Sequence, residues 1–542
     1  MERDLAVHRG HVEARFTDLL RVASGTAADE DPRAAAAADP DATTGQRAKA
    51  LAQLGFDQPE ASAEELNRLA RKRGTPFHDA QPLGPALITE LAAAPDPDQA
   101  LRHLADLFGR LSNPLASSEL LAQSPRTTRL LISLFGSSDY LSRQLLRHPE
   151  LIDQLVLRGA AALVRDRADL RQDLSARLQP FAELDVEGRL TELRRFRNEE
   201  VLRIGLHDVA GALNVEQVSR QLSDLADACV EACFALAVQE IEKRYGAREA
   251  RMVVVALGKL GGRELGYHSD LDLLFLYSPA DAAPPAERPE HGTNHEYFAR
   301  IAQKLISHLT LPLREGFLYR IDTRLRPSGS SGPLVVSFDA LATYHAREAR
   351  LWERQALLRA RPVAGDEALF ERAFEQVLEP SLFRPMDRAA AARELVAMRE
   401  RMEREIAGES AGRYNSKLGR GGLVDVEFAV QFLQLAHGAT DPQIRSANTP
   451  QALALLLAHG HLSPQDHASL ARGYAFLRRL ESRLRIVRDR SVDRLPESGL
   501  ELLRLARRMG YSGPRAGEEL LADYQRTAAE VRAAFLRVLG AA

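Results

Sequence analysis

GKLGGRELGYHSDLDLLFLY, residues 258–277, joins a glycine-rich run to two aspartates and then to an apolar run. Alternate residues of a strand point to the same side, so Asp270 and Asp272 are expected to project together. Leu274 and Leu276 follow on that same face and belong to a core. Two carboxylates this close repel each other unless a proton or a cation lies between them. The stretch therefore predicts a cationic ligand at the rim of a buried sheet.

The neighbouring sequence predicts a small mixed α/β module. RMVVVAL, from residue 251, is the first strong strand signal, and DLDLLFLY is the second. The helical segment NHEYFARIAQKLISHL leads to two further strands, FLYRIDTRL and PLVVSF, which the turn RPSGSSG separates. Ser337 is placed to cap the next helix. Apolar residues recur at helical spacing on both sides of this module, so the predicted fold is mostly α with an inserted α/β module.

The predicted organisation has four regions. Residues 1–110 are expected to form an N-terminal helical connector, in which the Ala/Asp/Pro-rich segment 24–47 is disordered. Residues 111–249 are a helical region leading into the core, and residues 250–370 are the catalytic core. Residues 371–542 are expected to form a C-terminal helical bundle.

Composition excludes some classes of partner. The chain has 542 residues with a net charge of −3, which gives no electrostatic reason to expect a nucleic acid or a membrane. There is neither a signal-peptide core nor an uncharged apolar run of about 18 residues, so a cytoplasmic protein is expected. Cys229 and Cys233 lie four apart on one helical face without further zinc-type ligands, which favours buried apolar roles.

A third carboxylate suggests a metal site. Asp322 lies in the strand FLYRIDTRL and can reach the same ions as Asp270 and Asp272 if the two strands pair. Mg²⁺ binds through one or two carboxylates together with substrate phosphates. Three carboxylates can hold two metal ions for in-line attack at phosphorus. Asp322 fits two roles, metal ligand and general base, and the sequence does not separate them.

The glycine run completes the expected nucleotide site. Gly258 ends the first strand, and glycines allow close approach of the backbone to a ligand. N–H groups at the start of a helix bind phosphate. Neither GxxxxGK[ST] nor GxGxxG is present. Arg324 and Arg326 of DTRLRPSG are expected to alternate on a strand, where they either clamp phosphates or form ion pairs at the strand end. The candidate nucleotide-binding residues are Gly258, Lys259, Gly261, Gly262, Arg263, Ser269, Arg324 and Arg326.

A strand, a glycine turn, a helix, a D-x-D strand and a later strand aspartate together resemble the polymerase-β-like nucleotidyltransferase fold. The resemblance narrows with YRIDTRLRPSGSSGPLV, LWERQALLRARPVAGD and KLGRGGLVDVEFAVQFLQL. With the opening stretch, these segments resemble the glutamine-synthetase adenylyltransferase family, from about residue 50 to the C-terminus.

The resemblance implies a reaction. In that family, one half of the enzyme transfers AMP from ATP to a tyrosine of glutamine synthetase and regulates nitrogen assimilation. The other half removes the AMP by phosphorolysis and yields ADP. One D-x-D signature corresponds to one half. SPRTTRLLISLFGSSDYLSRQLLRHPELIDQLV and LRRFRNEEVLRIGLHDVAGAL resemble the adenylylating half, whereas SGPLVVSF and AFLRRLESRLRIV also resemble the removing half. We expect the Mg²⁺-dependent adenylylating half. A PII-type regulatory protein, glutamine and 2-oxoglutarate are implied in the same way.

A second glycine turn, in KLGRGGLVDVEF, provides further candidates. Lys417, Asp425 and Glu427 surround it, and two readings stay open: a nucleotide or interdomain role, and simple helix capping. Asp425 and Glu427 are two apart, so on a helix they do not share a face. Two other functions also stay open, a nucleotidyltransferase with another acceptor and a non-catalytic regulatory subunit. The three intact aspartates argue against the regulatory subunit.

Overall fold

The computed structural model describes residues 31–78, 83–149, 164–181, 185–278, 292–410, 412–487 and 492–540. These residues are mostly helical and include one small mixed sheet, which confirms the predicted mostly-α class. The chain divides into two compact units, residues 1–162 and 163–542. Among the described helices, none is long and apolar enough to cross a membrane.

The first unit is helical throughout its described secondary structure. Its helices are α1 Pro32–Ala38, α2 Thr44–Gln53, α3 Pro59–Ala70, α4 Leu83–Ala93, α5 Pro97–Arg110, α6 Pro114–Gln123, α7 Pro125–Ser137 and α8 Asp139–Arg147.

The prediction of disorder over residues 24–47 is wrong for its described part. Alanine has the highest helix propensity, and Asp31 caps α1 by accepting the N–H of Arg33. Thr43 and Gln46 form a capping box at the start of α2. Ala34 is buried, so this low-complexity stretch also contributes to a core. Residues 24–30 lie outside the described residues.

The second unit contains the sheet. Its strands are β1 Arg251–Ala256, β2 Leu271–Ser278, β3 Ile321–Asp322, β4 Val335–Ser337 and β5 Arg361–Gly365. Its helices up to the end of the sheet are α9 Arg167–Leu178, α10 Val186–Val209, α11 Val215–Tyr245, α12 Gly258–Gly261, α13 Asn294–Thr310, α14 Phe338–Arg347 and α15 Leu351–Leu357. The helices after the sheet are α16 Glu367–Ala373, α17 Glu379–Leu382, α18 Arg388–Met402, α19 Leu423–His437, α20 Thr449–Ala458, α21 Pro464–Arg485, α22 Gly499–Met509 and α23 Ala516–Val538.

The sheet has β1 at its centre, paired antiparallel with β2 on one side and with β5 on the other. β3 and β4 both run parallel to β2, with β3 at the start of β2 and β4 further along it. The sequence predicts no strand at β5, where Pro362 follows Arg361. An edge strand tolerates a proline because one side of its backbone needs no ladder hydrogen bond.

The face of β2 that carries Asp272 also carries Leu274 and Leu276, as the alternation predicts. These leucines belong to one hydrophobic core with Val253 and Val255 of β1 and with the helices from α16 to α23. The second glycine turn and the helices that follow it therefore lie on the same side of the sheet as Asp272.

Two smaller expectations are met. The hydroxyl of Ser337 accepts the N–H of Ala340 at 3.2 Å and caps α14. Cys229 and Cys233 are both free and fully buried in α11, and burial raises the pKa of Cys229 to about 12. Both thiols are therefore protonated at neutral pH and pack as small apolar groups.

Candidate active site

The structure brings two of the three predicted aspartates into register. β2 and β3 pair in parallel, and Asp272 is the direct partner of Asp322. Both side chains are half-buried. Asp270 lies just before β2 and is exposed, so it sits at the mouth of the site, ahead of the strand. The pairing of β2 with β3, which Asp322 needs in order to approach the other two aspartates, is therefore present.

The neighbouring carboxylates perturb one another. The pKa of Asp272 is raised to about 6, first by burial and then by repulsion from Asp322. Asp270 adds a smaller repulsion, while Lys417 and Arg359 oppose the rise. A carboxyl group that is held away from its ionised form by its neighbours favours the arrival of a cation.

Asp322 has an intramolecular partner. Its Oδ1 accepts the backbone N–H of Arg324 at 2.8 Å, and the Nε of Arg324 lies 3.0 Å from Oδ1 and 2.9 Å from Oδ2. These hydrogen bonds from Arg324 are the main reason why the pKa of Asp322 is held below its usual value. In the described part of the chain, no three Asp, Glu, His or Cys side chains converge as a ready-made ion site.

The donor set nevertheless suits a hard divalent cation. The three side chains offer only carboxylate oxygens, which are the ligands that Mg²⁺ prefers. Burial raises the pKa of Asp272 first, and repulsion from Asp322 adds to the rise, so a cation at this place would be stabilised.

The glycine turn approaches the site as closely as a backbone can. Gly258 has a φ of +54°, and a Cβ there would lie 2.0 Å from Oδ2 of Asp272. A Cβ on Gly261 would lie 2.0 Å from the carbonyl oxygen of Arg359. The backbone N–H of Leu257 also donates to the carbonyl of Asp272 at 2.9 Å. Only glycine fits at 258, because a side chain would both strain the backbone and displace the carboxylate of Asp272.

Three side chains predicted to bind a nucleotide are occupied by partners within the chain. Lys259 pairs with Glu481 of α21, and burial lowers the pKa of Lys259 to about 7. Arg263 pairs with Asp224 of α11 at 2.6 Å. Their charges thus bind the glycine turn to the surrounding helices.

Ser269, the third of these residues, has two partners. Its hydroxyl accepts the N–H of Gly266 at 3.2 Å and receives Nη1 of Arg485 at 3.2 Å. The carbonyl of Gly262 accepts the side-chain N–H of Asn448 at 3.0 Å. The turn is therefore held from the side of the C-terminal helices.

The prediction that Arg324 and Arg326 alternate on a strand is wrong. β3 ends at Asp322, because the chain turns there towards Pro327. Arg326 closes this turn by donating to the carbonyl of Thr323 at 2.6 Å and to that of Gly332 at 3.2 Å. Arg324 forms the ion pair at a strand end that the sequence left open as its alternative reading.

The residues of the second glycine turn have separate roles. Asp425 is fully buried, contacts Arg399 at 2.6 Å and Arg532 at 3.2 Å, and accepts the N–H of Gly421 at 2.9 Å. This arrangement is structural, and the carboxylate holds the backbone just before Gly422, the N-cap of α19. Glu427 faces elsewhere, towards Arg359 at 3.4 Å.

Lys417 differs from Asp425 in that it acts on the aspartates. It lowers the pKa of Asp272 through its charge. The side chain of Asn415 accepts the backbone N–H groups of Lys417 and Leu418 at 3.1 and 2.9 Å, which fixes the turn that carries the lysine. Among the residues of this turn, Lys417 is therefore the one whose charge acts on Asp272.

Sequence reasoning missed the acidic residues that hold the glycine turn. Glu481 accepts from Lys259, Arg478 and Arg485 together, the last at 2.9 Å. Glu264 accepts from Tyr474 at 2.7 Å. The available signal was RRLESRLR, in which three charged residues recur at helical spacing on one face.

Arg361 of β5 also holds the glycine turn. It contacts Asp227 with both terminal nitrogens at 2.8 Å and donates to the carbonyls of Leu260 and Gly261 at 2.8 and 3.2 Å. A planar guanidinium suits such a multidentate clamp. Arg361 therefore fixes the backbone of the glycine turn at Leu260 and Gly261.

Paired carboxylates beside a tight glycine turn are typical of enzymes that act on phosphate groups. Residues 128–376 match the family described as glutamate-ammonia ligase adenylyltransferase. Residues 391–539 match a second family, described as GlnD PII-uridylyltransferase. The chain belongs to the glutamate-ammonia ligase adenylyltransferase family, which confirms the resemblance drawn from its motifs.

Curated relatives agree over most of the chain. Each is named a bifunctional glutamine synthetase adenylyltransferase/adenylyl-removing enzyme. The relative from Thioalkalivibrio sulfidiphilus is 33% identical over 513 residues, which cover 90% of this chain and 53% of the relative. Those from Chromobacterium violaceum and Burkholderia pseudomallei are each 36% identical, over 83% and 88% of this chain and 49% and 52% of the relatives. The chain thus spans about half the length of the curated relatives it matches.

Proposed function

We propose that this chain transfers AMP from ATP to a tyrosine of glutamine synthetase and releases pyrophosphate. The observation that carries the proposal is the pairing of Asp272 with Asp322 in register on neighbouring strands. The carboxylate of Asp272 also lies against Gly258, where no side chain would fit. Membership of the family supports the same activity. The proposal assigns the catalytic core to residues 250–370, with a polymerase-β-like nucleotidyltransferase fold.

The chain's own residues would bind and orient the reactants. Asp270, Asp272 and Asp322 would hold Mg²⁺, which when bound neutralises phosphate charge and lowers the pKa of the attacking hydroxyl. The tyrosine oxygen forms a bond to the α-phosphorus, the bond from that phosphorus to the β-phosphate oxygen breaks and pyrophosphate leaves, and the hydroxyl proton passes to solvent water. The charge of Lys417, which acts on Asp272, supports a role for this residue opposite the departing pyrophosphate.

The two roles left open for Asp322 can be ranked. Hydrogen bonds from Arg324 hold the pKa of Asp322 below its usual value, so it is a weak base at neutral pH. Its proposed role is therefore that of a metal ligand.

The PII-type regulatory protein belongs to the proposal as a second partner. Residues 391–539 match a family named for PII-uridylyltransferase, which supports recognition of a PII-type protein by the C-terminal helices. To test that assignment, binding of a PII-type protein to the unaltered chain would be compared with binding to variants that have substitutions at exposed positions of these helices. Equal binding by such variants would contradict it.

Label transfer tests the activity directly. The chain is mixed with Mg²⁺, ATP labelled at the α-phosphate and unmodified glutamine synthetase. We expect label on a synthetase tyrosine, absent with Asp270→Asn and retained with Asp339→Asn, which changes an exposed aspartate at the start of α14. ADP release from adenylylated synthetase and phosphate, without label transfer, would assign the adenylyl-removing activity. The absence of both activities would refute the proposal.

A further inference from the structure

Arg324 stands out because its exposed guanidinium contacts the side chain of a single residue, the half-buried Asp322. Its Nε contacts both oxygens of Asp322, and its Nη2 also donates to Oδ2. The side chain of Arg324 is 77% exposed, whereas that of Asp322 is 18% exposed. An exposed ion pair is weak, because both partners remain solvated and the long side chain loses entropy when it is fixed. The contact can therefore exchange.

The charge of Arg324 acts on all three aspartates. Besides its hydrogen bonds to Asp322, the guanidinium is stabilised by the charges of Asp272 and Asp270, which help to raise its pKa. Arg324 is thus the counter-ion of the whole carboxylate group. Arg326, two residues away, is different, since its contacts are to backbone carbonyls and to the hydroxyl of Thr323.

We propose that Arg324 is a built-in counter-ion that holds the three carboxylates while no divalent cation is bound and moves to the nucleotide phosphates when the cation enters. The inference rests on the proposed function. Arginine suits both positions, because its planar fork matches carboxylate and phosphate oxygens equally well. The exchange keeps the third carboxylate in place without a metal and supplies a phosphate ligand once the metal has arrived.

The proposal predicts opposite effects of one substitution on two ligands. Arg324→Gln frees the carboxylates from their competitor, so Mn²⁺ alone, without nucleotide, should bind about three- to tenfold tighter. The same change removes a phosphate ligand, so ATP should bind about tenfold more weakly in the presence of the metal. A residue with only a structural role would weaken both ligands together.

Arg320→Gln is the matched control. Arg320 is exposed, lies two residues before Asp322 on the same segment, and its substitution changes the net charge by the same amount. Mn²⁺ affinity is measured by electron paramagnetic resonance of the free ion, and ATP affinity by calorimetry, with thermal melting to confirm folding. We expect the control to change each affinity by less than about twofold.

Each outcome decides a separate point. Unchanged or weaker Mn²⁺ binding by Arg324→Gln, with Mn²⁺ binding by the unaltered chain intact, overturns the counter-ion role and leaves the proposed activity standing. Equal tightening by Arg320→Gln also overturns it, because the effect would then be one of net charge. Failure of the unaltered chain to bind Mn²⁺, or binding that survives Asp270→Asn, refutes the metal site and this inference with it.

Discussion

Alanine at position 258 should abolish catalysis while leaving the protein folded. Gly258 has a φ of +54°, and a Cβ at this position would lie 2.0 Å from Oδ2 and 2.8 Å from Cγ of Asp272. Ordinary van der Waals contact begins at 3.4 Å, so the carboxylate or the turn has to shift by about 1.4 Å. The displaced atom is the carboxylate oxygen that the proposed mechanism requires.

The magnitude follows from two separate effects. A misplacement of about 1 Å at a reacting centre can lower the rate about 100-fold. This corresponds to about 2.7 kcal/mol in activation free energy. The left-handed backbone conformation costs a residue with a Cβ about 1–2 kcal/mol, which lowers the free energy of unfolding by the same amount.

Gly211→Ala separates these two effects. Gly211 has a φ of +70°, and a Cβ there would meet nothing within 4 Å. Both variants should lose about 1–2 kcal/mol in urea unfolding, because both place a side chain in the left-handed region. Only Gly258→Ala should lose about 100-fold in the rate of α-phosphate label transfer. The reasoning is refuted if Gly258→Ala keeps more than about a third of the original rate, or if Gly211→Ala loses as much.

Three further substitutions give distinct results. Without metal, Asp272→Asn should raise the unfolding free energy at pH 7 by up to about 3 kcal/mol, because the folded-state pKa of about 6 exceeds the ordinary 3.8. The folded carboxyl gains its proton as pH falls through 6, so the gain should vanish below about pH 4 in urea titrations, and a pH-independent gain would contradict it. Asp425→Asn should lower the unfolding free energy by about 3–5 kcal/mol, because it leaves the charge of the buried Arg399 without its partner carboxylate. The KM for ATP should stay unchanged, and a raised KM would indicate a nucleotide-binding role for Asp425. Without metal, Lys417→Gln should raise the pKa of Asp272 above about 6 in an NMR titration, because Lys417 lowers that pKa, and an unchanged pKa would remove Lys417 from the site.

The sequence predicts the features that local rules determine. The alternation in DLDLLFLY correctly assigns Leu274 and Leu276 to the core, and hence the side of the sheet on which Asp272 lies. Ser337 is recognisable as a helix cap because capping depends on residues three apart. The third aspartate could be predicted only conditionally, since its approach depends on a strand pairing across about fifty residues of chain.

Long-range partners explain the rest. Lys259 and Arg263 look like phosphate ligands because cations in a glycine turn usually face anions. Their actual partners, Glu481 and Asp224, come from helices 222 and 39 residues away in sequence. A sequence gives the charge of a residue, but the partner depends on how helices pack, which no local pattern specifies. The same limit hid the clamp that Arg361 forms.

Burial divides the ionic contacts of the site into two kinds with different consequences. Lys259 and Glu481 are buried together, and breaking a buried pair costs about 3–5 kcal/mol. The pair between Arg324 and Asp322 is exposed on the arginine side, and such pairs contribute about 0–1 kcal/mol. A ligand can therefore open the exposed pair without disturbing the turn that the buried pair holds. This difference allows the third carboxylate to change partners while Gly258 keeps the backbone fixed against Asp272.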